Sequence, residues 1–406
     1  MKRRDVLKNI SLLPLAGGVM GTLLPSQNAV AAPPAKRDVF GELGLRTFIN
    51  AAGTYTSMTA SLMPEEVMEA INQSAKEFVM LDEVQDKVGA KIAAMCHAEA
   101  AMVTAGCWSA IVLGTAGVIA GTDAKKIAML PSLEGTDLKS EVIVQKTHMH
   151  GYEHAVTNTG AKLIPVETRE ELEKAINDKT AMMFFLNREG SSGKVDHATF
   201  IQIAKQHNIP TMIDMAADVP PVENLWKYND MGFDLVCISG GKAICGPQST
   251  GILMGKKDFI AGARLSGPPN GGNIGRGMKV NKEEIIGMYV ALDAYIKRDH
   301  AKEWKMWEDK IAVINNAVKN VNGVTTEIIV PEIANHTPSL EIRWDNSKVK
   351  LTKEDMGLKL RNGSPSIETV SWEKDNSIRV TVFMLKHGQE KVVAARIKEE
   401  LMNASV

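Results

Sequence analysis

The pattern of polar and apolar positions alternates along the chain between short apolar runs and amphipathic stretches. Short apolar runs bounded by turn residues are typical of strands buried on both faces, and apolar residues three or four apart are typical of helices. Strands are predicted at 127–130, 141–145, 162–166, 181–186, 211–214, 235–238 and 251–254. Helices are predicted at 64–78, 84–95, 108–120 and 170–177, and around Ala204. This order predicts an α/β fold with a parallel or mixed sheet that helices cover on both faces.

The pattern changes from about Tyr289. One long helix is predicted from there towards Val318, and a final helix at 390–402. Alternating segments between them predict strands at 325–330, 339–344 and 378–383. These elements indicate a smaller α+β domain. The predicted division is therefore an export signal at 1–31, a large domain at 32–295 and a small domain at 296–406, with the N-terminal segment of the large domain packing on the small one.

The first 31 residues have the organisation of an export signal. Arg3 and Arg4 precede an apolar stretch at 10–24, and Ala29-Val30-Ala31 has the small-residue pattern of a cleavage site. The paired arginines resemble a twin-arginine signal. An uncleaved anchor stays open as the alternative. We expect a periplasmic protein without stable membrane association after cleavage, because no later apolar run reaches about 18 residues.

The charge balance argues against a nucleic-acid partner. The chain of 406 residues carries 47 Lys and Arg against 48 Asp and Glu, a formal charge of −1. Binding to phosphates by bulk charge needs a basic face, which this balance does not indicate. The four cysteines are Cys96, Cys107, Cys237 and Cys245. They form no CxxC pair and lie in apolar segments, so mostly free thiols are expected.

Two charged residues follow predicted strands. Lys242 comes after Ser239-Gly240-Gly241, directly behind the strand at 235–238, and Asp214 ends the strand at 211–214. A partly desolvated lysine can form a Schiff base with an aldehyde, and a carboxylate at a strand end can hold a pyridinium nitrogen protonated. The structural alternatives are a solvated loop lysine and an aspartate that caps a turn.

Two further segments could bind a ligand. Gly106, Cys107 and Trp108 open the apolar helix, where free N–H groups can hold a phosphate, with Ser109 and Ser239 offering hydroxyls. A plain N-cap is the alternative. The segment 147–154 carries His148, His150 and His154 after the strand at 141–145. Either these histidines bind a metal, or one imidazole stacks on a planar ring; without nearby paired carboxylates no metal is expected.

The order of these features resembles pyridoxal phosphate (PLP) enzymes of the aspartate-aminotransferase fold, fold type I. The stretches 213–221 and 239–248 resemble the selenocysteine synthase-like family, which includes L-seryl-tRNA selenium transferase and D-glucosaminate-6-phosphate ammonia-lyase. Stretches 48–54 and 274–280 are similar as well. The resemblance spans roughly 46–295 and implies a mixed, mostly parallel seven-stranded sheet with PLP as cofactor.

The resemblance also implies roles for individual residues. Lys242 would be the Schiff-base lysine, Asp214 the partner of the ring nitrogen, and His148 the stacking residue, with His150 as substitute. The residues around the phosphate would be Gly106, Cys107, Trp108 and Ser239. The residues of a loop that reaches the active site near a dimer interface would be Arg276 and Lys279. Cys107-Trp108 departs from the small residues expected at the phosphate turn, and Gly277 stands where a proline is expected.

The cofactor leaves several reactions open. The ammonia-lyase relatives favour α,β-elimination on an amino acid or amino-sugar acid, with Lys242 as general base and acid. A racemase, an aminotransferase and a non-catalytic binder of a phosphorylated ligand are the alternatives. Selenium transfer to tRNA is not expected, because it makes no chemical sense outside the cytoplasm. The partners expected are a small-molecule amino substrate, for which Arg276, Arg343 and Arg379 are candidate anchors, and a second copy of the chain in a homodimer or higher even oligomer.

Overall fold

The computed structural model describes residues 37–406, so the predicted export signal at 1–31 lies outside the described residues. The described chain divides into two units, which contribute residues 37–46 and 47–406. In the first unit the short helix α1 (Val39–Glu42) begins at Asp38, whose side chain accepts the N–H of Gly41. All other elements belong to the second unit.

The strands of the second unit, in chain order, are β1 (Ile49–Asn50), β2 (Ala100–Thr104), β3 (Glu141–Gln145), β4 (Lys162–Val166), β5 (Thr180–Leu186), β6 (Thr211–Asp214), β7 (Leu235–Ser239), β8 (Gly251–Gly255), β9 (Val324–Ile329), β10 (Ser339–Trp344), β11 (Ile367–Glu368) and β12 (Ser377–Thr381). Its α-helices are α2 (Glu65–Ser74), α3 (Leu81–Met95), α4 (Gly106–Ala120), α5 (Ala124–Met129), α6 (His154–Thr157), α7 (Arg169–Ala175), α8 (His197–Gln206), α9 (Asn224–Met231), α10 (Lys257–Leu265), α11 (Lys282–Ile296), α12 (His300–Val318), α13 (Lys353–Asn362) and α14 (Gln389–Asn403).

A seven-stranded sheet confirms the predicted fold class. Its order is β2-β8-β7-β6-β5-β3-β4. Strand β8 is antiparallel to both of its neighbours, and the remaining pairs are parallel. The parallel core explains why the sequence showed continuous apolar runs there, because helices cover both faces of such a sheet.

Strand β5 shows how both faces of this sheet are buried. Met183 and Phe185 pack into one apolar core, and Met182, Phe184 and Leu186 pack into the core on the opposite face. This alternation follows from the period of two along a strand. Helix α4 covers the second face and is buried almost all round, as expected for a helix without a polar side.

The C-terminal part carries its own sheet and core. Strands β12, β10 and β9 form an antiparallel sheet in that order. Its core includes Ile342 and Val380, and also Ile49 from the start of the unit. Strand β1 pairs in parallel with β11, so the N-terminal segment is joined to the C-terminal part. The division at 295/296 stays a prediction, since residues 47–406 form one compact unit.

Two local predictions were wrong. The segment predicted as a strand at 127–130 is largely the helix α5, because the Asp123 side chain accepts the N–H groups of Lys125 and Lys126 and so begins a helix. The single long helix towards Val318 is two helices, α11 and α12. Asp299 ends the continuity, since its side chain caps α12 by accepting the N–H of Lys302.

All four cysteines are buried free thiols, as expected. Within residues 37–406, no helix combines the length and the apolar character that a membrane crossing requires.

The start of α4 is packed directly on β8 at Gly251. A Cβ atom at this position would lie 2.6 Å from the backbone nitrogen of Cys107 and 2.7 Å from the carbonyl oxygen of Gly106. We therefore expect Gly251→Ala to destabilise the protein by about 1–3 kcal/mol, because backbone atoms cannot move aside cheaply. Thermal unfolding of the purified protein measures this. The control is Gly277→Ala, whose Cβ would meet nothing within 4 Å; equal unfolding midpoints for the two variants would contradict the packing described.

Candidate active site

Lys242 lies in the turn that follows β7. Gly241 precedes it in a position where a Cβ atom would lie 2.5 Å from the Cα of Gln248, so the turn has no room for a side chain there. The carbonyl of Lys242 accepts the N–H of Cys245 at 2.9 Å, which closes the turn. The Lys242 side chain is half-buried, and its Nζ makes no hydrogen bond or ion pair with a described residue. The structure therefore leaves this amine available for chemistry.

Asp214 lies at the end of β6, in register with Cys237 of the adjacent parallel strand β7. Its carboxylate is buried, and Oδ1 accepts the Ala216 N–H at 2.9 Å and the Cys107 S–H at 3.4 Å. Oδ2 accepts no hydrogen bond from residues 37–406. Burial raises the pKa of Asp214, and the Ala216 N–H, the charge of Lys242 and the Cys107 thiol oppose that rise. The structure thus brings the predicted lysine and aspartate together at one sheet edge.

The start of α4 lies beside the same edge. Gly106 has a φ of 83°, a conformation that favours glycine. No side chain caps the helix at Ala105, so its first N–H groups are free to bind an anion. Ser239 pairs with Gly251, which packs on Gly106 and Cys107, and these predicted phosphate residues therefore lie together.

Two neighbours of that helix start differ from the simple expectation. Trp108 is 42% exposed, so its indole projects towards the surface. Ser109 Oγ donates to the carbonyl of Ala105 at 2.8 Å, so this hydroxyl is already used inside the helix. Ser239 is left as the hydroxyl of the predicted phosphate group.

The histidine segment places His148 at the end of β5, where its partner Leu186 is in register with Asp214. His148 has no exposed surface; its Nδ1 accepts the Leu186 N–H at 3.2 Å, and its ring packs edge-on against Phe185. Burial lowers the pKa of His148 to about 4, so the ring is neutral at physiological pH. A stacking role for His148 stays a prediction. His150 is exposed and lies 3.7 Å from Glu189 Oε2.

Arg276 and Lys279 lie on the exposed segment between α10 and α11. Among the described residues neither side chain has a hydrogen bond or ion pair, with Lys242, Asp214 or any other residue. The structure of a single chain therefore does not bring them into the site, and their predicted role at a partner's active site stays a prediction.

Asp218 is a buried carboxylic acid that sequence reasoning did not single out. Its Oδ2 accepts the Asn187 amide at 2.8 Å, and the same amide group donates to the Tyr228 hydroxyl at 2.7 Å. Burial raises the pKa of Asp218 to about 7; the charge of Asp214 adds to the rise and that of Lys242 opposes it. Asp218 was visible only as a second acid four residues after Asp214, and its burial depends on partners distant in sequence.

A second group that sequence reasoning missed surrounds Tyr55. The Tyr55 ring lies 5.7 Å from the Trp372 ring. Burial raises the pKa of Tyr55, and the charges of Arg379 and Arg188 oppose that rise. Arg379 Nε donates to the buried Glu341 at 2.7 Å. This group combines two aromatic rings with two guanidinium ions.

The Tyr55 group is joined to the turn of Lys242. Ser61 Oγ donates to the carbonyl of Gly241 at 2.7 Å, and the Gln248 side chain donates to the carbonyl of Thr56 at 3.0 Å. Of the three arginines predicted as anchors, Arg379 is the one whose charge acts on Tyr55. Arg343 instead pairs with Glu327 at 2.8 Å on β9.

Other candidate sites lie away from Lys242. Within residues 37–406, no group of three His, Cys, Asp or Glu side chains is arranged to hold a metal ion. Two surface clefts, of about 560 and about 350 Å³, are lined by residues around Arg343 and around Lys146. Neither cleft includes Lys242 or Asp214, so the polar contacts above, rather than concavity, define the candidate site.

Comparison with known proteins finds relatives that align with most of this chain. A curated D-glucosaminate-6-phosphate ammonia lyase of Salmonella typhimurium is 26% identical over 374 residues, covering 89% of this chain and 97% of that protein. An L-seryl-tRNA(Sec) selenium transferase of Serratia proteamaculans is 31% identical over 155 residues, 34% of this chain and 32% of that protein. Both kinds of enzyme belong to the family that the sequence motifs resemble, and that resemblance is confirmed.

Solved structures agree. A D-glucosaminate-6-phosphate ammonia-lyase matches with a TM-score of 0.78 and 25% identity, over 91% of this chain and 99% of that one. A cysteine desulfurase of Escherichia coli matches with a TM-score of 0.54 and 15% identity, over 88% and 94%, which shows the fold alone. The model of the class-V aminotransferase family matches residues 61–284. This match covers more than half of the chain, and membership of this family implies pyridoxal 5′-phosphate as the cofactor. The chain therefore belongs to the class-V aminotransferase family.

Proposed function

We propose that the protein is a PLP-dependent lyase that removes ammonia from an amino acid or amino-sugar acid by α,β-elimination. The observation that carries the proposal is the Lys242 amine, without a polar partner in residues 37–406, beside the buried Asp214 at one edge of the sheet. The curated relative named a D-glucosaminate-6-phosphate ammonia lyase, which aligns over 89% of this chain, favours elimination among PLP reactions.

The described residues fit the cofactor. Lys242 Nζ would bind its aldehyde carbon, and Asp214 Oδ2, which has no other partner among the described residues, would accept the N–H of its ring. The uncapped N–H groups at Gly106 and Cys107, with the Ser239 hydroxyl, would hold its phosphate. The aldehyde, the ring nitrogen and the phosphate of the cofactor would thus each meet a polar atom that has no other partner among the described residues.

The protein's own residues account for the proton transfers. When bound, PLP acts as an electron sink that acidifies the hydrogen on the substrate's Cα. An ionised Asp214 keeps a proton on the ring nitrogen, which preserves that effect. With the cofactor bound, the Lys242 amine would accept the proton from the substrate's Cα and return a proton to the group that leaves Cβ. The resulting enamine product takes up water to give a keto acid and ammonia.

The Tyr55 group suits an acidic substrate. Arg379 and Arg188 both act on Tyr55, and each is already paired with a carboxylate, Arg379 with Glu341 at 2.7 Å and Arg188 with Glu189 at 3.1 Å. Their remaining N–H groups can bind a carboxylate or a second anionic group, because arginine binds such groups in a fixed geometry. Glu341 orients Arg379 from the buried side at 2.7 Å. The exposed Trp372 beside Tyr55 offers an apolar surface of the kind that packs against a carbon chain. These contacts support an amino acid or a sugar-derived amino acid as substrate.

Two other PLP reactions are compatible with the same residues. Racemisation needs only that Lys242 returns the proton to the opposite face of Cα, and transamination needs the amine to stay on the cofactor. Neither is favoured by a specific contact. A non-catalytic binder of phosphorylated ligands would use Lys242 as a cation only, and it would not need the buried Asp214.

The covalent role of Lys242 is tested with the purified full-length protein. We expect it to be yellow with PLP and to be labelled at Lys242 after borohydride treatment, as mass spectrometry of peptides would show. Lys242→Ala should lose the label and at least about 10³-fold in rate, because the amine is both the anchor and the base. The control is Lys256→Ala, an exposed lysine paired with Glu99. A colourless protein, or a label on another lysine, would contradict the proposal.

The same preparations decide the reaction. Incubation with a panel of D- and L-amino acids and amino-sugar acids should give ammonia and keto acid in equal amounts. Inverted enantiomer without ammonia would establish a racemase instead. Keto acid without ammonia, together with a new amino acid formed from an added 2-oxo acid acceptor, would establish an aminotransferase.

We also propose a homodimer, supported by apolar side chains that a single chain leaves in water. Phe78 and Met80 are 104% and 74% exposed, and Leu62, next to Ser61 at the Lys242 turn, is 65% exposed. Exposed apolar side chains of this size mark contact surfaces. A second chain that covers them could also bring Arg276 and Lys279 to the site.

Sedimentation measures the assembly. We expect the wild-type protein to sediment as a dimer or a higher even oligomer, and Phe78→Glu with Met80→Glu to shift it towards the monomer, because charge would be forced into an apolar contact. The control is Met306→Glu, at a position 47% exposed on α12. A wild-type monomer at micromolar concentration would refute the dimer.

We propose finally that the chain is exported to the periplasm by the twin-arginine route. Arg3-Arg4, the apolar stretch 10–24 and the Ala29-Val30-Ala31 pattern support this. Cell fractionation should find a periplasmic chain that begins at Ala32, and Arg3→Lys with Arg4→Lys should retain the precursor in the cytoplasm. A full-length cytoplasmic wild-type chain would exclude export, and a full-length membrane-bound chain would establish the anchor.

A further inference from the structure

Cys107 makes an unusual contact with the carboxylate of Asp214. Its Sγ lies 3.4 Å from Asp214 Oδ1 and donates to it, and both side chains are buried. The only other donor that the structure gives to this carboxylate, among residues 37–406, is the Ala216 N–H, also on Oδ1. One oxygen of Asp214 is therefore held by two donors from the protein, and the other oxygen is held by none.

The thiol acts as a donor over the whole physiological pH range. Burial raises the pKa of Cys107 well above its usual value, and the negative charge of Asp214 raises it further. A thiol that stays protonated can donate its hydrogen but adds no charge. It can therefore orient the carboxylate without neutralising it, which an arginine or a lysine in its place could not do.

The contact between Cys107 and Asp214 joins two parts of the proposed cofactor site. Cys107 lies in the first turn of α4, whose free N–H groups are the proposed phosphate site, and Asp214 ends β6. The backbone of Gly251 packs on the same turn. One helical turn thus connects the phosphate end of the proposed cofactor site with its ring-nitrogen end.

We infer that Cys107 is a positioning residue, whose S–H holds Asp214 Oδ1 so that Oδ2 is directed at the N–H of a pyridine ring. The inference rests on the proposed function, which it deepens at the same site. The sequence analysis assigned Cys107 to the phosphate end of the cofactor. The inference adds a second role for Cys107, at the ring nitrogen. It also explains how a carboxylate with a single backbone donor keeps a fixed orientation.

The first test uses the cofactor-free full-length protein. The S–H stretching band in the infrared should contain a component from Cys107 that Cys107→Ala removes. Asp214→Asn should shift that component, because a neutral amide oxygen is a weaker acceptor than a carboxylate. The control is Cys96→Ala, another buried thiol, which has no contact with Asp214. A Cys107 band that Asp214→Asn leaves unchanged would overturn the inference.

The second test measures PLP binding against pH for Cys107→Ala and Cys107→Ser. Cys107→Ala should weaken PLP binding by about 3- to 10-fold, the effect of one lost hydrogen bond. The loss of binding at acid pH should move to higher pH, because a carboxylate with fewer donors takes up a proton more readily. Cys107→Ser keeps a donor and should restore both the affinity and the pH profile. Cys96→Ala and Cys96→Ser should move neither.

The outcomes separate this inference from the proposed function. If wild-type Lys242 is labelled by borohydride but Cys107→Ala matches Cys96→Ala in affinity and pH profile, the inference alone fails. A serine variant as impaired as the alanine variant would show that Cys107 acts by filling space, which also overturns it. If wild-type Lys242 is not labelled, the proposed function fails, and the inference fails with it.

Discussion

The site depends on the parallel pairing of β6 and β7. Adjacent parallel strands end at the same edge of a sheet, so Asp214 and the turn of Lys242 leave the sheet side by side. A carboxylate buried there is costly unless donors or a cation oppose the loss of water. The Ala216 N–H, the charge of Lys242 and the Cys107 thiol provide that opposition. Acid and amine therefore cannot be separated without breaking the central strand pair.

The large sheet could be predicted from sequence because its strands are buried on both faces. The predicted strands at 181–186, 211–214, 235–238 and 251–254 lie within observed strands, since continuous apolar runs have few other uses. The run at 127–130 is apolar as well, but most of it lies in the helix α5. There the cap supplied by Asp123 decides the local structure, and an apolar run of four residues cannot reveal a cap before it.

The sequence could predict those site residues whose reactive side chains lie at, or directly after, the end of a strand. Lys242 and Asp214 meet that condition, and Gly106 and Ser239 were found through the same helix and strand ends. Asp218, Tyr55 and Arg188 were not found, because their importance comes from contacts with distant segments that no local pattern records. The different burial of His148 and His150 was also beyond local reasoning. A single 3₁₀ turn at Lys146–His148 directs His148 into the interior and leaves His150 at the surface.

The pairing of β1 with β11 bears on the order in which the molecule can be completed. Ile49 is in register with Ile367, so these partners are separated by 367 − 49 = 318 positions along the chain. During synthesis the earlier strand must wait for nearly the whole polypeptide to emerge before its ladder can form, and closing so long a loop is slow. The C-terminal core that encloses Ile49 is thus the last part able to assemble, and a truncated nascent chain would lack it.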